Sequence, residues 1–113
     1  MSSVLIVDEG KFSRLSLSHI LNGAGCQIVG EANNETDALN IYKKTHPTVV
    51  MIHSNLESVK LIKEYDPKAN VVMYQKEGQE HLVVEGYTLG VKDFLKKPFS
   101  NDEVIETVQK FVK

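Results

Sequence analysis

The chain has 113 residues, 42% of them hydrophobic, and a formal net charge of −2 with both signs interspersed along it. That length and apolar content suit a single core spanning 1–113 and leave no room for a second domain. The near-neutral balance removes the long-range field that draws nucleic acid or an anionic membrane surface, so neither is expected as a partner. No apolar stretch approaches the roughly 20 residues of a membrane-spanning helix. Met1-Ser2-Ser3 runs straight into an apolar run, without the charged and apolar regions of a secretory signal. Cys26 is the lone cysteine. It reads as a small core residue, and the expected location is the cytoplasm.

Apolar runs of strand length alternate with stretches of helical period from end to end, the pattern of a parallel α/β sheet. Strands are predicted near 3–8, 27–32, 48–53, 70–75 and 92–96. Between the first two, Leu17, Ile20, Leu21 and Ala24 share one helix face, which Gly25 is placed to end. The second helix has Asn33 and Asn34 as cap candidates, with Ala38, Ile41 and Tyr42 facing inward. Leu56, Val59 and Ile62 give a short third helix that stops before Asp66-Pro67. Residues 78–89 make the fourth, closed by Gly90 and carrying an internal Gly86. In the last helix Ser100 and Glu103 form a capping box, and Val104, Ile105, Val108, Phe111 and Val112 repeat at helical spacing.

Three apolar runs stop abruptly in polar residues. Val4–Val7 ends in Asp8-Glu9, Val49–Ile52 in His53, and Phe94-Leu95 in Lys96-Lys97-Pro98. As neighbouring parallel strands, these runs bring two acids, a histidine and a lysine into one crevice. A carboxylate at position 53 would make that crevice a site for divalent metal and phosphoryl transfer. Histidine there removes that carboxylate both as a metal ligand and as a nucleophile.

The segments Val4 to Glu9, Pro47 to His53 and Gly90 to Phe99 resemble the receiver domain of bacterial two-component response regulators, and the likeness runs from Val4 to the C-terminus. The resemblance implies a doubly wound, flavodoxin-like sheet of order 2-1-3-4-5, an order that comes from the family and not from the residues. In that family an acidic pair after the first strand and an aspartate after the third hold Mg²⁺. The aspartate accepts a phosphoryl group, a lysine steadies it, and a hydroxyl and an aromatic carry the switch. Asp8, Glu9 and Lys97 match, a cis bond before Pro98 is implied, and Phe94 is the remaining switch aromatic. His53 replaces the phosphoacceptor and Gln75 the switch hydroxyl, and the loop after the third strand is shortened, with Leu56-Glu57 leading into the helix.

These departures lead to the expectation of a pseudo-receiver: no enzyme, no dedicated cofactor, Mg²⁺ bound weakly at most, and His53 paired with Asp8 or Glu9 while Lys97 neutralises the acids. Ser54 is expected to point away from the crevice by strand alternation. His19, His46 and His81 read as surface residues, and 77–81 as a solvated face. The alternative is a regulator still switched by phosphoryl transfer or metal binding at an altered site involving His53. The resemblance places partners on the face formed by the fourth helix, fifth strand and fifth helix. A histidine kinase or a chemotaxis or motility component is the kind of partner implied. G-x-x-x-x-G-K, G-x-G-x-x-G and G-x-S-x-G motifs are absent from the sequence, which argues against nucleotide-binding and hydrolase readings.

Overall fold

Five strands and five helices alternate along residues 2–112, the part of the chain that the computed structural model describes; Met1 and Lys113 of the expected 1–113 unit lie outside it. They are β1 (Ser3–Val7), α1 (Lys11–Gly23), β2 (Gln27–Ala32), α2 (Glu35–Thr45), β3 (Val49–His53), α3 (Leu56–Tyr65), β4 (Val71–Gln75), α4 (His81–Leu89), β5 (Asp93–Lys96) and α5 (Asn101–Gln109). All neighbouring strands pair in parallel, in the order β2-β1-β3-β4-β5. This is the flavodoxin-like order that the resemblance implied.

Parallel strands need cover on both faces, which explains why β1, β3 and β4 are near-continuous apolar runs rather than alternating ones. On one face Leu5, Val7, Ile52 and Met73 meet Ala38 of α2 and Val59 and Ile62 of α3. On the other, Val4, Ile6, Met51 and Tyr74 meet Leu17 and Leu21 of α1 and Val104 and Val108 of α5. Because side chains alternate, Asp8 and His53 extend the rows that face α1, whereas Gln75 extends the Val71–Met73 row toward the opposite side.

Local signals set the helix ends. Asn34 caps α2 by accepting from the Asp37 amide, and Ser100 and Glu103 complete both halves of the capping box on α5. Several boundaries differ from expectation. The fourth helix begins at His81 rather than 78, because Gly78 adopts a left-handed φ of 92° and the intervening residues form a turn. Ala24 is exposed at the end of α1 instead of facing inward, as the helix has already run out there. Val112 lies exposed beyond the end of α5, and Thr107 is buried on the inner face of that helix. Among the described residues no helix is long and apolar enough to cross a membrane.

Candidate functional site at the carboxyl ends of the strands

Asp8 follows β1, His53 ends β3 and Lys97 follows β5, and the strand order brings all three to one crevice. Asp8 is only 3% exposed, and both of its carboxylate oxygens are engaged by the protein itself. Oδ1 accepts from the Gly10 amide at 2.8 Å and lies 3.5 Å from His53 Nδ1. Oδ2 accepts from the Ser13 hydroxyl at 2.5 Å and the Tyr74 hydroxyl at 2.7 Å. Burial on its own would raise the pKa of this carboxyl. The combined hydrogen bonds from His53, Ser13, Tyr74 and Gly10 outweigh it and hold the group well below the usual carboxylate range. The Arg14 guanidinium donates to the Asp8 carbonyl at 2.6 Å and lies 3.4 Å from Glu31, fixing the start of α1 over the site.

His53 is half-buried, its ring 5.0 Å from that of Tyr74 and tilted 30° to it. The two residues are register partners on β3 and β4, so the stacking follows from the strand pairing. Nδ1 faces Asp8, and Nε2 is enclosed with no hydrogen-bond partner among the described residues. Of the two acids, His53 therefore meets Asp8; Glu9 is exposed at the rim.

Lys97 differs from expectation. Among the described residues no ion pair joins it to Asp8 or Glu9. Its ammonium donates to Ser13 Oγ at 2.8 Å and lies 5.4 Å from the centre of the Tyr74 ring. Ser13 thus relays between cation and carboxylate, accepting from Lys97 and donating to Asp8. The Lys97–Pro98 bond is cis.

Ser54 also departs from the strand rule. It lies just past β3 with a left-handed φ of 49°, so alternation no longer governs its direction. Its hydroxyl donates to Gln79 Oε1 at 2.8 Å, and the same oxygen accepts from the Lys76 amide at 3.1 Å. Gln79 thereby pins the loop after β3 to the loop after β4, and it is the partly buried member of a stretch otherwise solvated as expected.

The two switch positions lie apart from the Asp8 cluster. Gln75 is 3% exposed, and its Oε1 has no partner among the described residues. The Phe94 ring is turned under α4, where a Cβ on Gly86 would come within 3.0 Å of it and 2.9 Å of Met73 Cε. The internal glycine of α4 is thus explained by close approach. His19, His46 and His81 are exposed. Cys26 is half-buried, and burial pushes its thiol pKa up. Among the described residues no group of three or more His, Cys, Asp and Glu side chains could hold a metal ion together.

Four contributors were missed in the sequence: Gly10, Ser13, Arg14 and, most of all, Tyr74. A signal for Tyr74 was present. A tyrosine inside a buried strand needs a partner for its hydroxyl, and its parity puts it on the face of Asp8 and His53. Ser13 and Arg14 become visible only once α1 is known to start at Lys11.

An open, parallel, doubly wound sheet of order β2-β1-β3-β4-β5, with Asp8, His53 and Lys97 at its strand ends, defines the class as a flavodoxin-like α/β protein with its crevice there. The family model of the response regulator receiver domain matches residues 4–109, and the chain belongs to that family. It is 34% identical to the chemotaxis protein CheY of Thermotoga maritima, with 97% of each chain covered. It is 36% identical to the protein CcdB of Bacillus subtilis, again over 97% of each. Among solved structures, the response regulator domain of Thermotoga maritima CheB superposes with a TM-score of 0.87 at 24% identity, covering 97% of this chain and 95% of that one.

Proposed function

We propose that this receiver domain acts as a pseudo-receiver, a cytoplasmic signalling module that works by protein contact, independently of phosphorylation and without enzymatic activity of its own. The observation that carries this reading is the state of the two groups the chemistry would need. Both oxygens of Asp8 are occupied by protein partners. Neither nitrogen of His53 is open to a donor, since Nδ1 faces Asp8 and Nε2 is enclosed. A phosphoryl group arriving in the crevice would find neither group free as a nucleophile, and of the two acids only Glu9 at the rim would be left to hold a cation that neutralises its developing charge.

The partner surface in this reading is the face of α4, β5 and α5. Val84 and Tyr87, three residues apart on α4, are 70% and 76% exposed. Large apolar side chains on one helix face are the usual anchors of a protein interface. A histidine kinase or a chemotaxis or motility component fits such a surface, in keeping with relatives that are themselves chemotaxis proteins.

Incubation with acetyl phosphate or phosphoramidate and Mg²⁺, followed by intact-mass spectrometry, tests the reading. The expected mass is unchanged. A stoichiometric gain of one phosphoryl group mapped to His53 or its neighbours would favour the alternative, a regulator switched by phosphoryl transfer at an altered site.

A further inference from the structure

We infer that Tyr74 is the residue that keeps Asp8 from ligating a divalent cation, acting as an internal ligand in the place a cation would take, so that exchanging His53 alone leaves Asp8 closed and Glu9 the one open acid of the pair. The inference rests on the pseudo-receiver reading and goes beyond it by naming the blocking group.

A carboxylate offers about four lone-pair positions, and Asp8 uses four contacts. These are Gly10 N and His53 Nδ1 on Oδ1, and Ser13 Oγ and Tyr74 OH on Oδ2. Mg²⁺ demands near-octahedral oxygen ligands at roughly 2.0–2.1 Å, so one or more of these contacts has to leave before the ion can bind. The four differ in how readily they give way. The His53 contact is the longest at 3.5 Å, and exchanging that residue frees a single position. Ser13 is half-buried, and its hydroxyl can rotate about one bond. The Gly10 amide is held by the backbone at the start of α1.

Tyr74 has no comparable escape. It is 0% exposed, with His53 against one side of its ring and Phe99 edge-on at 5.9 Å. Strand β4 fixes its backbone, so the hydroxyl cannot swing into water if a cation takes its acceptor. Ion binding would take the carboxylate acceptor from that buried hydroxyl and leave it only the neighbouring Ser13 hydroxyl, and the loss lowers the affinity of the ion. The same hydroxyl bond, working in the other direction, raises the Tyr74 pKa after the larger effect of burial, so the group stays a donor at every ordinary pH.

Calorimetric titration with Mg²⁺ of the natural protein and of His53→Asp, Tyr74→Phe and His53→Asp/Tyr74→Phe tests this, with circular dichroism confirming that each is folded. The phenylalanine keeps the ring packing and removes only the hydroxyl. The double variant is expected to bind Mg²⁺ at least tenfold more tightly than His53→Asp, in which the ion has Glu9 and the introduced carboxylate but not Asp8. Equal affinity of the single and double variants would overturn the role of Tyr74 while leaving the pseudo-receiver reading intact. A double variant no better than the natural protein would also overturn it. Tight binding by the natural protein itself would instead refute the pseudo-receiver reading.

Discussion

Replacing Asp8 by alanine is expected to destabilise the protein by about 3 kcal/mol, the scale for removing an acceptor from several buried donors. The sign is the informative part. In a crevice where carboxylates crowd together to hold a cation, deleting one relieves repulsion between like charges and stabilises the fold. Here Asp8 is a satisfied hub, and its loss strands the buried Tyr74 hydroxyl and unties Ser13 from β1. A urea unfolding curve with an unchanged or raised midpoint would show that Asp8 is not the hub described. The same hub predicts the pH dependence. The folded protein keeps Asp8 ionised far below the unfolded carboxyl pKa of about 4, so the stability it contributes is complete above that pH. It is lost progressively as pH falls below about 4 toward the depressed folded value. Tyr74→Phe removes one of the bonds that lower the pKa, and should therefore make this acid loss shallower.

Gly86→Val is expected to cost about 3 kcal/mol and to displace Phe94, an overpacking effect at the upper end of the usual range. The first atom of any side chain there meets Met73 Cε at 2.9 Å and the Phe94 ring at 3.0 Å. Methionine can move its terminal methyl, but the phenylalanine ring is packed against the core below α4 and has to shift as a body. Gly86→Ala is the useful comparison. The roughly 1 kcal/mol that alanine gains in helix propensity is offset by the same crowding, so its stability should change little. A valine variant as stable as the natural protein, with the Phe94 ring resonances unmoved, would mean that α4 can lift freely and that Phe94 is not held in place.

Much of the architecture was legible because strand length and helical period differ so plainly here. Val4–Val7, Val49–Ile52 and Val71–Tyr74 have no reading as surface helix, and Ser100 with Glu103 announces the start of α5. The crevice was legible too, since three runs ended in polar residues of complementary charge. What stayed hidden depended on direction and distance rather than residue type. Tyr74 looked like one more core residue of β4, and only the pairing with His53 reveals that its hydroxyl reaches Asp8. Lys97 was near the acids in topology, yet Ser13 stands between cation and carboxylate. Ser54 obeyed the strand alternation on paper, but its left-handed backbone takes it out of the strand and onto Gln79. Ala24 and Val112 matched the helical period beyond the point where their helices end.

Nothing delivered to the crevice should shift the α4–β5–α5 face between two populations, because both Asp8 oxygens are already engaged, His53 is enclosed and Gln75 carries no hydroxyl to couple to Phe94. A ligand without differential affinity for two states moves neither. The most direct measurement is a ¹⁵N–¹H amide spectrum of the protein recorded before and after addition of Mg²⁺ with a saturating small-molecule phosphodonor. Superimposable resonances for His81–Leu89 and Asp93–Lys96 are predicted. Concerted shifts across those two elements, together with His53 or its neighbours, would contradict the account.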